Sequence, residues 1–374
     1  MSLRLHINAV GLVSGGGLNH LTSLLPALAA ARPSWQLTVY LSAGGPDLAQ
    51  PGVRFVRVNR KSWKRVGWDT VTVARRAVAE GADVLLNLAN YGPVYARVPS
   101  LLYQANPVYF DRAWVKRRSA RWQAEAVVRR LLAFAAMRRS AAVLVPSAGM
   151  AGYLRSWRTC PCEVPIEVVP HGVDTSRFGF DPASPGERVR VVSLSLAYPH
   201  KDQGLLVDLV VELGNRGLEV ELEATIDDAD DPDYVALLRA KIRDGGLEDR
   251  VRFVGRVDAG TFMRSADVSV LPSITESFGF AVVEAMASGV PVVASRIPSS
   301  VEVLGDLGWY FDPGDASGAA DQVMRLLGTE RGALEQKLRA ARRVAEGYTW
   351  ERNAARVAEI VERAAVVDPD GDGR

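Results

Sequence analysis

Residues 268–294 read VSVLPSITESFGFAVVEAMASGVPVVA, and the order of apolar and turn-forming residues along them decides the fold class. Val268–Leu271 is a short apolar run that predicts a buried strand, residues 272–277 are rich in turn formers, and Phe280–Ser288 predicts a helix. Gly289 and Pro291 stop that helix before the next apolar run begins at Val292. Strand, loop, helix and strand in this rhythm make the repeating unit of a parallel sheet, whose strands are buried on both faces. Two carboxylates, Glu276 and Glu284, stand eight positions apart in this otherwise apolar unit. Glu276 falls in a loop at the carboxyl end of a strand, where open parallel sheets bind ligands, and Glu284 falls within the helix that follows. The N–H groups of Phe278, Gly279 and Phe280 open that helix as an anion site.

The same rhythm extends in both directions. From residue 189 it predicts strands at 189–194, 219–224 and 251–254, with helices at 203–213 and 234–242 between them. Near the amino terminus a strand at 3–10 runs into the glycine-bearing stretch 11–17 and a helix at 18–31. Apolar runs at 37–41, 53–58, 84–88, 101–103 and 141–145 follow, alternating with helical stretches. The chain is therefore read as α/β, with a Rossmann-like domain over 1–170 and a second over 171–349. A last helix at 350–366 is expected to pack back on the first domain, and 367–374 to be a disordered tail.

An acid beside an anion site suits a ligand that carries hydroxyls as well as phosphates, as a nucleotide sugar does. The Glu-x7-Glu segment, with Phe-Gly after Glu276 and Glu-Ala-Met-Ala-Ser-Gly-Val-Pro-Val from Glu284, resembles the retaining glycosyltransferases of the GT4 family, also called group 1. That resemblance implies a GT-B fold, two Rossmann-like domains facing each other across a cleft, with the donor held by the second and the acceptor by the first. It implies that Glu276 accepts hydrogen bonds from the donor sugar and Glu284 from the ribose, with Phe278, Gly279 and Phe280 at the phosphates. In Tyr-Pro-His-Lys-Asp-Gln, residues 198–203, Lys201 is the cation expected to steady the leaving diphosphate. Lys201 and Glu276 are thus the candidate catalytic pair. The family's Arg, five or six residues before this Lys, is absent, since Leu196 and Ser195 stand there. Arg256, after Val254-Gly255, is the candidate substitute. Gly16 and Gly17 are expected to approach the donor phosphates through their backbone.

Many relatives carry a His on the loop where this chain reads Leu-Tyr-Gln-Ala-Asn-Pro, residues 102–107. Gln104 and Asn106 can hydrogen-bond an acceptor there but cannot serve as a base. This fits a front-face mechanism in which the departing phosphate takes the acceptor's proton. Trp63 and Trp68, in a basic stretch over 59–69 read as a loop, are further acceptor candidates through stacking.

Composition narrows the classes. The chain has 374 residues, a net charge of +2 and 48% hydrophobic residues, as expected of two ordinary globular domains. Residues 1–180 hold 23 Lys and Arg against 9 Asp and Glu, and the remainder 22 against 34, so charges of +14 and −12 face different surroundings. The basic half suits an acidic acceptor or an anionic membrane surface; nucleic acid is not an expected partner. Residues 112–139, with nine basic residues and one acid, read as an amphipathic helix. With no secretory leader pattern and no span-length apolar run, the expected location is the cytoplasm, with peripheral contact at the inner membrane face. Cys160 and Cys162 are read as free thiols, and four scattered histidines supply no metal site. Asp228-Ala229-Asp230 resembles a metal-binding Asp-x-Asp but belongs to an acidic loop, so no metal or other cofactor is expected beyond the UDP- or GDP-linked donor sugar. The acceptor, whether glycan, lipid-linked or natural product, is left open. Competing classes are a nucleotide-sugar epimerase and a catalytically silent sugar-binding subunit.

Overall fold

The computed structural model describes residues 2–13, 15–59, 62–182, 188–264 and 266–366, with 62–64 by backbone alone. Two compact units divide the chain, Met1–Gly172 with Thr349–Arg374, and Val173–Tyr348.

The first unit carries β1 (Arg4–Asn8), β2 (Gln36–Ser42), β3 (Val53–Val58), β4 (Val84–Asn87), β5 (Ser100–Tyr103), β6 (Ala142–Val145) and β7 (Ile166–Val168). All pair in parallel, in the order β3-β2-β1-β4-β5-β6-β7, so the direction of winding reverses between β1 and β4. Its helices are α1 (Gly15–Ala31), α2 (Ser62–Gly67), α3 (Val73–Ala79), α4 (Arg112–Lys116), α5 (Ala120–Met137) and α6 (Ala148–Arg155). The second unit repeats the plan with β8 (Val189–Ser193), β9 (Val220–Ala224), β10 (Val251–Phe253), β11 (Val268–Leu271), β12 (Val292–Ser295) and β13 (Trp309–Phe311). Its order is β10-β9-β8-β11-β12-β13, with the reversal between β8 and β11. Around it lie α7 (Gln203–Asn215), α8 (Pro232–Asp244), α9 (Ala259–Met263), α10 (Phe280–Ser288), α11 (Pro298–Leu304), α12 (Ala316–Leu327) and α13 (Arg331–Ala345).

The last helix, α14 (Trp350–Val366), belongs to the first unit, where Ala354, Val357, Ala358, Val361 and Ala364 join the core of Leu5, Ile7, Leu21 and Leu28. Those positions recur every three or four residues and so form one apolar stripe. Gly172 meets the start of α14 so closely that a Cβ on it would stand 2.3 Å from the Trp350 nitrogen.

Several local expectations are corrected. Helix α1 begins at Gly15, three residues before the expected start, because Gly15 takes φ +66° and leads directly into the first turn. Gly16 and Gly17 are therefore helical, and Gly17 packs on Leu12, whose Cδ2 would lie 2.9 Å from an added Cβ. The stretch read as a loop up to residue 69 is helical from Ser62, and a five-residue π-turn, Trp68–Thr72, joins α2 to α3. Residues 112–139 form two helices, since the Ser119 hydroxyl accepts from the Trp122 N–H and starts α5 anew. Strands β7 and β13, three residues each at the sheet edges, had no expectation attached to them. The expected tail at 367–374 lies outside the described residues, as does the Trp63 side chain.

Candidate functional site

In the second unit the loops leaving β8 and β11 border the winding reversal, and they carry Lys201 and Glu276. The first loop is built from below. Ser195 N–H donates to Thr225 Oγ1 (3.0 Å), Ala197 N–H to Asp230 Oδ2 (2.9 Å), and Gln203 Nε2 to the Leu196 carbonyl (2.7 Å). A single 3₁₀ turn, Pro199–Lys201, ends at Asp202 in left-handed backbone (φ +50°), a conformation uncommon without glycine. The turn aims Lys201 across to the second loop, and Ile274 N–H donates to the His200 carbonyl (2.9 Å), tying the two loops together.

Lys201 Nζ pairs with Glu276 Oε2, while Ser277 N–H donates to Glu276 Oε1 at 3.0 Å. Both side chains keep about a fifth of their surface open, 19% for Lys201 and 21% for Glu276. Burial by itself raises the Glu276 carboxyl; the Lys201 ammonium, its hydrogen bond, His200 and the Ser277 N–H outweigh that and hold it below the usual range. A formed ion pair thus stands at the mouth of the sheet.

Helix α10 opens beside it. Gly279 caps the helix at φ +95°, and a Cβ there would press on Val282 Cγ2 at 3.2 Å and lie 3.9 Å from Glu276 Cγ. Phe278 is buried, its ring edge-on to Phe280 (5.5 Å) and Tyr348 (5.4 Å), so its side chain anchors the cap in the core. Glu284, one turn into the helix, is half-buried, and its carboxylate has no hydrogen-bond donor among the described residues. Burial pushes it up to about 7, against a smaller opposing pull from Arg177. Arg177, which sequence reasoning passed over, is tied to Asp258 at 3.0 Å.

The other candidates are placed as follows. Arg256 is engaged by Asp230 (2.7 Å), the same carboxylate that holds the Ala197 N–H, so it braces the Lys201 loop from behind. Asp228 pairs with Arg239 at 2.9 Å, so this acidic run is spent on cations of its own unit. In the first unit Gln104 is buried, its Nε2 donating to the Asn90 carbonyl and its Oε1 accepting from Asn106 N–H. Asn106 Oδ1 accepts from Val108 N–H, so both amides shape the loop after β5. Trp68, expected to offer a stacking face, is buried and donates its indole N–H to Asn8 Oδ1 at 3.1 Å. The π-turn causes this by directing Trp68 and its neighbour Asp69 to the same buried amide. His20 and His171 are buried too, and burial depresses both, His20 to about 3.

Residues 190–329 match the family described as glycosyl transferases group 1, and residues 14–177 match Glycosyltransferase Family 4. An MMP alpha-(1->4)-mannosyltransferase from Mycolicibacterium hassiacum is 30% identical over 75% of this chain and 68% of its own length. The chain belongs to the group 1, family 4 glycosyltransferases. A phosphatidyl-myo-inositol mannosyltransferase from Mycobacterium leprae is 39% identical, over 32% of this glycosyltransferase and only 34% of its own length. Solved structures establish the GT-B fold. Sucrose-phosphate synthase from Thermosynechococcus elongatus superposes with a TM-score of 0.77 at 20% identity, over 96% of this chain and 98% of that one. Anabaena HepE in complex with UDP-glucose gives 0.74 at 19% identity, over 96% and 100%. Among the described residues of the glycosyltransferase no helix is long and apolar enough to cross a membrane.

Proposed function

We propose that the protein transfers a sugar, with retention and without a metal, from a nucleoside-diphosphate sugar on the second unit to an acceptor recognised by the first. The observation that carries this reading is the Lys201–Glu276 pair at the winding reversal of the second sheet, beside the start of α10 and a Glu284 carboxylate without a hydrogen-bond donor among the described residues. The donor supplies what the site lacks. Its ribose hydroxyls donate to Glu284, its sugar hydroxyls to Glu276, and its diphosphate takes the helix N-terminus and the Lys201 ammonium. The bond between the anomeric carbon and the diphosphate oxygen breaks, and charge grows on that oxygen, where Lys201 stabilises it. The acceptor oxygen bonds to the same face of the carbon, and its proton passes to the departing phosphate oxygen. Gly16 and Gly17, in the first turn of α1, remain proposed phosphate contacts.

Incubation with a panel of UDP- and GDP-sugars, followed by NMR of the products, tests this. Released or transferred sugar with the donor's anomeric configuration, undiminished by a chelator, is the expected result. Inverted product defeats retention, an isomerised donor supports an epimerase, and binding without turnover supports a silent subunit. Peripheral membrane contact is proposed for α5, where Val127, Val128 and Leu131 are exposed between Arg121 and Arg138. Sedimentation with anionic vesicles that is undiminished by Leu131→Asp would remove α5 from that role.

A further inference from the structure

The winding reversal of the first unit holds a polar network that the donor chemistry does not use. Asn8 and Asn87 end β1 and β4, the two strands at the reversal, and both are fully buried. Asn87 Nδ2 is spent on Ser100 Oγ and the Leu101 carbonyl, both at 3.0 Å. Asn8 accepts from the Trp68 indole and donates to Asp69 Oδ1 at 2.9 Å. Asp69 is 1% exposed. Its other oxygen accepts from Arg65 Nε at 3.2 Å, and Arg65 is its one cationic partner among the described residues.

Burying a carboxylate is costly unless its charge is used, and an asparagine there would meet the needs of Asn8 without that cost. The charge serves to hold Arg65. The guanidinium of Arg65 lies across the loop that follows β1. A Cβ on Gly11 would stand 2.7 Å from Arg65 Nη2 and 3.0 Å from Ala89 Cβ, which follows β4. The side chain is 36% exposed, and Nε alone of its nitrogens has a hydrogen-bond partner among the described residues. With Nε fixed by Asp69, the outer edge of the fork is left to a second acceptor of matching geometry. The excess of Lys and Arg over Asp and Glu in residues 1–180, 23 against 9, suits a negative one. Nearby, Arg129 is paired with Glu125 at 2.6 Å and lies over the Tyr109 ring, 5.3 Å from its centroid. The crevice outside the carboxyl ends of strands at a reversal is where doubly wound sheets bind ligands.

We propose that Arg65, positioned by the buried Asp69, recognises a phosphate group of the acceptor, so that the acceptor is a phosphorylated molecule. This rests on the proposed transfer reaction, but the anion site is measurable without a donor. The full chain is titrated with glycerol, glucose and inositol, each beside its phosphomonoester, and binding is read by saturation-transfer NMR on the polyol protons. At least one monoester binds about tenfold tighter than its neutral partner, the contribution of one charge-assisted hydrogen bond. Arg65→Gln, at the rim of the unit, removes that preference while circular dichroism reports a folded chain. In Asp69→Asn the ratio of monoester to neutral affinity shrinks towards one, a ratio that general loosening of the fold would not move. Vesicles containing phosphatidylinositol form a second arm. Arg65-dependent binding of the soluble monoesters assigns a free anionic acceptor, and Arg65-dependent binding of the vesicles alone assigns a lipid headgroup. Equal affinity for charged and neutral members with no Arg65-dependent vesicle binding overturns the proposal, as does a preference for the monoester that persists in Arg65→Gln. A chain that binds the monoesters through Arg65 but neither hydrolyses nor transfers from any nucleotide sugar defeats the transferase reading and leaves the anion site in place.

Discussion

Lys201 and Glu276 lie 75 positions apart in the chain and meet as an ion pair because two strand-end loops flank one reversal of the sheet. If Lys201 neutralises the leaving diphosphate, Lys201→Ala lowers kcat for transfer by about 100-fold to 1,000-fold, near 3 kcal/mol, as for loss of one oxyanion donor. Single-turnover assays with saturating donor measure it, and near-normal turnover removes Lys201 from the mechanism. Glu284 makes a prediction in pH. Its folded carboxyl titrates near 7 against an ordinary value of 4.5, so between those limits the native state holds a proton that the unfolded chain has released. Stability therefore falls as pH rises across that window, by about 3 kcal/mol at the upper bound. Melting curves of the wild type and Glu284→Gln should diverge from pH 4.5 to 7 and run parallel above it. Curves parallel throughout would show that the carboxyl titrates normally. Ribose hydroxyls bind the ionised form, so affinity for a nucleotide sugar, whose diphosphate does not titrate here, should weaken below pH 7 and do so less in Glu284→Gln.

The helix start at Gly279 couples backbone conformation to ligand binding. Its φ of +95° is open to glycine and strained for any residue with a β-carbon, and an added Cβ meets Val282 at 3.2 Å. Gly279→Ala should cost about 1–2 kcal/mol of stability, read as a lower melting temperature, and should weaken nucleoside diphosphate binding by tilting the first turn of α10. Unchanged melting and affinity would mean that the cap relaxes without strain. At the same scale the π-turn Trp68–Thr72 exchanges an exposed aromatic loop for a buried one. Period and composition suggested the loop, because a single extra residue in a helix leaves no trace in either. A polar residue, Asn8, ending an otherwise buried strand was the one signal that a partner such as Asp69 was waiting.

Across the whole molecule the chain leaves the first unit at Gly172 and returns to it at Thr349, so α14 completes a core begun more than three hundred residues earlier. Val357, Ile360 and Val361 alone bury side chains worth about 5 kcal/mol, comparable with the net stability of a domain. Truncation before Trp350 should therefore abolish cooperative melting of the first unit in calorimetry; a retained transition would show that α1 and the sheet suffice. The amino-acid order by itself determined the α/β class and most strands, because parallel strands buried on both faces appear as largely apolar runs such as Val268–Leu271 and Val84–Asn87, broken only by Ser269 and by Asn87 at the strand end. It also marked Lys201, Glu276 and Glu284 as charged or acidic residues in or beside such runs. The edge strands β7 and β13 escaped notice, being three residues long and, in β7, half-exposed around Glu167. Only the tertiary structure decided which charges meet. The Lys201–Glu276 pair, the bracing of Arg256 by Asp230, the burial of Trp68 and the hold of Asp69 on Arg65 depend on where the sheets bring chain ends together and which groups they close off from water. No pattern of neighbours along the chain encodes that exclusion.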